Sequence, residues 1–108
     1  MRRHMKHFQP GESFEGLITS SDVRPFVAWF TASWCGPCKQ ISPFVQRLSE
    51  KSQGFDFVKV DIDDFPAIAE DCDIASVPTF IMYKDRTAVG RVIGANTSKI
   101  EEMMRKYM

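Results

Sequence analysis

Two cysteines separated by two residues, Cys35 and Cys38, constrain this chain more than any other feature. They follow an unbroken apolar run of strand length, residues 25–30, which is typical of a central strand covered on both faces of a sheet. Beyond them, apolar side chains at helical spacing predict an amphipathic helix to about Ser52. These side chains are Ile41, Phe44, Val45 and Leu48. The two thiols are therefore predicted to lie at a strand-to-helix junction.

This junction suits thiol chemistry. A thiol attacks only as the thiolate, and the unpaired N–H groups at a helix N-terminus stabilise that anion. Cys35, at the mouth of the helix, is the predicted nucleophile, and we expect it to be exposed. Cys38 follows about one turn later and is the predicted resolving thiol. Pro37 suits the first helical turn because it has no N–H to leave unpaired, and Gly36 lets a partner backbone approach closely.

A zinc site is the competing interpretation of such a cysteine pair. Zinc would need two further ligands, and the candidates, Cys72, His4 and His7, are not paired at ligand spacing. We therefore expect a redox site without a metal. Cys72 falls on the apolar side of a short predicted helix, so we interpret it as a small hydrophobe rather than a regulatory or dimer-forming thiol.

The residues around the cysteines resemble the active site of the thioredoxin family. The stretch Trp34-Cys35-Gly36-Pro37-Cys38-Lys39 reproduces the family motif, and Pro43, Val77-Pro78-Thr79 and Gly94-Ala95 match further landmarks. The resemblance extends from about Met5 to the C-terminus. It implies an α/β thioredoxin fold, with a central mixed sheet of about five strands flanked by about four helices, a layered arrangement common in α/β proteins.

The resemblance also implies a substrate-binding groove beside the cysteines. Its residues would be Trp34, Gly36, Pro37, Val77, Pro78, Gly94 and Ala95. Trp34 would then lie on the surface, although a core tryptophan is the simpler interpretation. A cis Val77–Pro78 bond is expected on the ground of resemblance alone, because most X–Pro bonds are trans. It would place the Val77 backbone beside Cys35, where an extended substrate chain could pair with it.

One position departs from the family pattern. Six residues before the first cysteine the family expects a buried aspartate, thought to take the proton of the second thiol, and this chain has Trp29. An indole donates a hydrogen bond but does not titrate in any accessible range. Lys59, which matches the family's lysine near that carboxylate, loses its counter-charge, so we expect its ammonium to lose its proton more easily or to turn outward. We predict a slower reductase whose pH–rate profile lacks the buried-carboxylate step.

The rest of the chain predicts the elements that complete a β-α-β-α-β-α-β-β-α order. These are an edge strand at 6–8, a short helix at 14–18, a strand at 55–62, a helix near Pro66 capped by Asp63 or Asp64, a hairpin of strands 79–83 and 88–93, and a last helix with a capping box from Ser98 to Glu101. The capping and turn residues at these positions are those that start helices and hairpins.

Composition narrows the remaining choices. The chain has 108 residues, of which 44% are hydrophobic, and we expect one domain covering 1–108. Its 14 basic and 14 acidic side chains balance, which argues against nucleic acid and membrane surfaces as partners. No apolar segment of signal or membrane-spanning length is evident. We predict a soluble, cytoplasmic monomer.

These observations predict a thiol–disulfide oxidoreductase, a protein-disulfide reductase that transfers electrons to maintain cell redox homeostasis. Cys35 would attack a target disulfide and Cys38 would resolve the mixed disulfide, which needs no cofactor. The resemblance implies recharging by a thioredoxin reductase or a low-molecular-weight dithiol. An oxidase or isomerase of the same fold is one alternative, disfavoured by Gly36-Pro37. A non-catalytic adaptor is another, disfavoured by the intact cysteine pair.

Overall fold

In the computed structural model of the protein, residues 5–51 and 54–107 are described. Their elements are β1 (Lys6–His7), α1 (Phe14–Thr19), a 3-10 helix (Ser20–Asp22), β2 (Phe26–Thr31), α2 (Gly36–Lys51), β3 (Asp56–Asp61), α3 (Pro66–Asp71), β4 (Thr79–Lys84), β5 (Thr87–Ile93) and α4 (Thr97–Tyr107). The predicted order of strands and α-helices is confirmed. The 3-10 helix, which was not predicted, lies between α1 and β2.

The strands of these ranges form one mixed sheet in the order β1-β3-β2-β4-β5. Strands β1 and β2 run parallel to β3, whereas β4 runs antiparallel to both β2 and β5. Strand β2 is central, and every one of its residues is buried. The apolar run before the cysteines is thus the middle of the sheet, which places the cysteine pair at the carboxyl end of the most buried strand.

Side chains alternate between the two faces of the sheet, and each face carries a layer of helices. One face packs on α2 and α4, in a core that includes Trp29, Ile41 and Met103. The other packs on α1 and α3, in a core that includes Phe14 and Phe30. The predicted fold class, a mixed sheet between helices, is confirmed.

The predicted start of α3 near Pro66 is confirmed, but the predicted acidic cap is wrong. The helix begins at Pro66 with Phe65 as its N-cap, and no side chain caps it. Pro66 needs no cap for its own position because it has no N–H to satisfy. Asp63, which was expected to cap this helix, instead accepts a hydrogen bond from Trp34.

The predicted capping box of α4 is also wrong. The helix begins at Thr97, before Ser98, and the Asn96 side chain accepts a hydrogen bond from the Lys99 N–H at 3.0 Å. Asparagine is among the strongest N-cap residues. The buried stripe of this helix, Ile100, Met103 and Met104, is as predicted.

Some expectations fall outside the described ranges. These are His4 as a metal ligand and Ser52 as the end of α2, which is described to Lys51. None of the helices in the described ranges has both the length and the apolar character that a bilayer crossing requires.

Candidate active site

Cys35 closes the turn that joins β2 to α2. Its N–H donates to the carbonyl of Ala32 at 3.2 Å, and its own carbonyl accepts from the Lys39 N–H at 3.2 Å. The second bond is the first of the helix, whose opening turn holds Cys38. The predicted strand-to-helix position of the two cysteines is confirmed.

The two cysteines form a disulfide, with their Cα atoms 5.3 Å apart. The backbone N–H of Cys38 donates to the sulfur of Cys35 at 3.1 Å. This N–H belongs to the first turn of α2, where helix N–H groups carry a partial positive charge. After reduction the same contact would stabilise a thiolate on Cys35, which suits the role of attacking sulfur.

The prediction that Cys35 is exposed is wrong for this disulfide form. Cys35 is only 4% exposed and Cys38 is 2% exposed. The disulfide turns the two sulfurs toward each other, and Ala32, Ile62 and Val77 pack around them. The two cysteines therefore differ in their hydrogen-bonding neighbours and hardly at all in exposure.

The Val77–Pro78 segment, which was predicted to line a groove, lies next to Cys35 and is hydrogen-bonded to Gly94. The Val77–Pro78 bond is cis, as predicted, and the Val77 carbonyl oxygen lies 3.6 Å from the Cys35 sulfur. The Pro78 carbonyl accepts from the Gly94 N–H at 2.8 Å. Gly94 has a φ of +95°, a left-handed conformation that glycine adopts without steric cost. The loop before β4 and the end of β5 are thus joined beside the disulfide.

Near the residues predicted to line a groove, the structure exposes an apolar side chain that sequence reasoning missed. Trp34 is 65% exposed, and Gly36, Pro37 and Ala95 are exposed as well. Ile93 is 63% exposed and pairs with Thr79 directly after Pro78. The signal that could have identified Ile93 is its position immediately before Gly94. Sequence reasoning predicted Ile93 only as the last residue of a strand.

Asp63 is a second residue that sequence reasoning missed. The indole N–H of Trp34 donates to the Asp63 carboxylate at 2.9 Å. The Asp63 N–H in turn donates to Asp61 Oδ1 at 2.8 Å. Asp63 follows β3, whose carboxyl end lies beside that of β2 in the parallel pair. This shared edge of the sheet was the signal that could have predicted the contact. The hydrogen bond to Asp63 holds the exposed Trp34 indole in one orientation.

In the core between the sheet and α2, Trp29 stacks on Phe80, with ring centroids 6.1 Å apart. The ammonium of Lys59 lies 5.2 Å from the centre of the Trp29 ring. A cation over an indole face is favourable, so the aromatic ring compensates in part for the missing carboxylate. Lys59 is half-buried, so its side chain does not turn fully outward, and its partner is the Trp29 ring.

Cys72 lies on the other face of the sheet from Trp29, among the α1 and α3 core residues. It is half-buried, and its sulfur is 3.5 Å from the Tyr83 hydroxyl. Burial raises the pKa of Tyr83, and the Cys72 thiol adds to this shift. Among the residues that the structure describes, no three histidine, cysteine or acidic side chains gather closely enough to hold a metal ion.

Comparison with known proteins agrees with this geometry. The thioredoxin family model matches residues 6–106. A thioredoxin from Ophiophagus hannah is 39% identical over 95 residues, which cover 88% of this chain and 90% of the relative. The crystal structure of thioredoxin NaTrxh from Nicotiana alata superposes with a TM-score of 0.90 at 30% identity, covering 99% of this chain and 95% of the other. The oxidized mitochondrial thioredoxin 3 of Saccharomyces cerevisiae gives a TM-score of 0.86 at 34% identity, covering 94% of each. The chain belongs to the thioredoxin family.

Proposed function

We propose that residues 1–108 act as one domain that reduces disulfides in other proteins, through Cys35 and Cys38. Thioredoxins are thiol–disulfide oxidoreductases, and this chain has their cysteine pair in the corresponding position. The observation that carries the proposal is the disulfide at the N-terminus of α2, with a helix N–H on the Cys35 sulfur. That arrangement supports an attacking thiolate at one end of a reversible disulfide.

Each turnover consists of two exchange steps. In the first, the Cys35 thiolate attacks a sulfur of the target disulfide, so a Cys35–target bond forms and the second target sulfur leaves as a thiolate. In the second, the Cys38 thiolate attacks the Cys35 sulfur, the internal disulfide forms and the remaining target sulfur leaves. The target gains two electrons and the cysteine pair loses them, without a metal or an organic cofactor.

The groove residues are proposed to bind an extended segment of the target. The predicted set is Trp34, Gly36, Pro37, Val77, Pro78, Gly94 and Ala95, and the exposed Ile93 extends it. The Val77 backbone beside Cys35 supports pairing with an extended chain. The exposed indole of Trp34 offers a rigid apolar contact of the kind that is enriched at protein interfaces.

The electron donor is proposed to be a thioredoxin reductase or a low-molecular-weight dithiol. We place the protein in the cytoplasm as a monomer. Its three cysteines fit a redox pair with one spare thiol, and structural disulfide frameworks of secreted domains use more cysteines than this.

Reduction of insulin disulfides by the reduced protein tests this function directly. We expect catalysis that depends on both cysteines, and absence of catalysis would favour a binding adaptor. The reduction potential separates the reductase from an oxidase. Thioredoxins have reduction potentials of about −270 mV, whereas strongly oxidising proteins of the same fold have reduction potentials of about −120 mV.

Asp63→Ala tests the support of the groove. Without its acceptor, the Trp34 indole would lose a charge-assisted hydrogen bond and its fixed orientation, so we expect KM for a protein disulfide to rise about fivefold with little change in kcat. Asp64→Ala is the matched control, since this exposed neighbour makes no hydrogen bond or ion pair within the described ranges. Equal KM values for the two variants would contradict a role for Asp63. Steady-state kinetics of insulin reduction give KM and kcat for each variant.

A further inference from the structure

A cavity of about 270 Å³ lies beside Cys38, on the side of the sheet that carries α2. Strand β2 contributes Trp29 and Thr31, α2 contributes Cys38 and Ser42, and β3 contributes Lys59 and Asp61. The parallel register places Lys59 beside Trp29 and Asp61 beside Thr31. A thiol, an ammonium and a carboxylate therefore share one cavity.

The indole N–H of Trp29 is buried and has no hydrogen-bond partner in the described part of the chain. An unsatisfied buried donor destabilises the folded state. A cavity is able to hold water where it is polar and has more than about 15 Å³ of accessible space. The cavity that Trp29 lines meets both conditions, so it is suited to hold water next to Cys38.

Asp61 is the carboxylate that shares this cavity with Cys38. Its Oδ1 accepts from the Asp63 N–H at 2.8 Å, which fixes the orientation of the carboxylate. Its Oδ2 accepts no hydrogen bond from the described residues. Asp61 is half-buried, so one oxygen is oriented by the backbone and the other is available to water.

We propose that Asp61 accepts the proton of Cys38 through water in this cavity, in place of the carboxylate that Trp29 replaces. The inference rests on the proposed function and assigns a residue to its second step. The Cys38 S–H bond breaks, the proton passes through water to the Asp61 carboxylate, and the sulfur keeps the electron pair. The Cys38 thiolate then attacks the Cys35 sulfur and releases the target thiolate. Asp61 finally returns the proton to that thiolate or to solvent.

The charged groups around this path come from three elements. Lys39 of α2 and Lys59 of β3 line the same cavity. His7 of β1 and Asp64, after β3, line a neighbouring cavity that shares Lys59 and Asp61. The two lysines favour the Cys38 thiolate by simple attraction. Lys59 is held over the Trp29 ring, so it can contribute this attraction without an ion pair to Asp61.

The test is Asp61→Asn, with Asp64→Asn as the matched control. Asparagine keeps the oxygen that accepts from Asp63 and removes the negative charge. Rapid mixing of the reduced protein with insulin, followed by acid quenching and mass analysis, measures formation and resolution of the mixed disulfide separately. We expect unchanged formation and resolution that is slower by about tenfold in Asp61→Asn, less than the loss of a directly placed acid or base because bulk water still accepts the proton. The Asp64→Asn rates should match wild type.

The pH profile and a rescue variant complete the test. Resolution should slow toward acidic pH in both the wild type and Asp61→Asn because Cys38 attacks only as the thiolate, and the additional loss that depends on the Asp61 carboxylate should be absent in Asp61→Asn. Asp61→Glu should restore most of the rate. Resolution at the wild-type rate and pH dependence in Asp61→Asn would overturn the inference, as would an Asp61→Glu variant as slow as Asp61→Asn. A wild-type protein that forms no mixed disulfide would instead refute the proposed function.

Discussion

Replacing Cys35 with serine should lower the rate of disulfide reduction by more than about a thousandfold, because a serine hydroxyl cannot replace the attacking thiolate. Cys38→Ser should stop turnover at a different point. Its Cys35 can still attack, but no second thiol releases the target, so mixed disulfides should accumulate. Non-reducing gels and mass spectrometry of the trapped species distinguish the two outcomes.

Cys72→Ser is the control for these substitutions, since Cys72 packs against the core on the opposite face of the sheet. It should retain wild-type turnover. The helix N–H on the Cys35 sulfur also predicts that Cys35 is alkylated first when the reduced protein is treated at neutral pH. Trapping by Cys35→Ser instead of Cys38→Ser, or faster labelling of Cys38, would reverse the two roles.

Trp29→Asp should give the protein a second proton acceptor and accelerate resolution of the mixed disulfide. It should also destabilise the fold by about 3–5 kcal/mol, because it removes a large buried side chain and leaves a cavity. Burial raises the pKa of a carboxyl at such a position. The folded state then favours the protonated acid, so the destabilisation should be smallest at acidic pH and should grow as the pH rises and the carboxyl ionises.

Denaturant unfolding at several pH values and pH profiles of the resolving step measure these two effects. Trp29→Phe is the control, because it retains an aromatic ring against Phe80 and adds no carboxyl group. If Trp29→Asp and the wild type gave identical rates and profiles, Trp29 would only fill core space. Stability that did not depend on pH in Trp29→Asp would show that the new carboxyl is not buried.

The central features of the site could be predicted from local pattern. The apolar run of β2 and the helical spacing after it placed Cys35 and Cys38 at the correct junction. The cis bond before Pro78 required the family resemblance, because no local property of that dipeptide favours cis. The predicted caps of α3 and α4 were wrong because the sequence offers several residues that can cap a helix, and only the complete chain path selects Phe65 and Asn96.

What the sequence could not provide were contacts between distant segments. The bond from Trp34 to Asp63 depends on the parallel alignment of β2 and β3. The burial of Cys35 depends on Ile62 and Val77, which the chain reaches much later. Lys59 was expected to be left without its usual partner, and its position over Trp29 follows from strand register, which places the two residues side by side.

The near-complete burial of the disulfide has a consequence for which electron donors the protein accepts. A freely diffusing hydrophilic dithiol brings no surface that packs on the apolar residues Ala32, Ile62 and Val77, so we expect it to reach the nearly buried disulfide less readily. A protein donor can cover the same residues with its own apolar segment while its thiol reaches the sulfur. We therefore expect small-molecule thiols to exchange electrons only slowly with the Cys35–Cys38 disulfide. Of the two donors left open above, this favours the reductase.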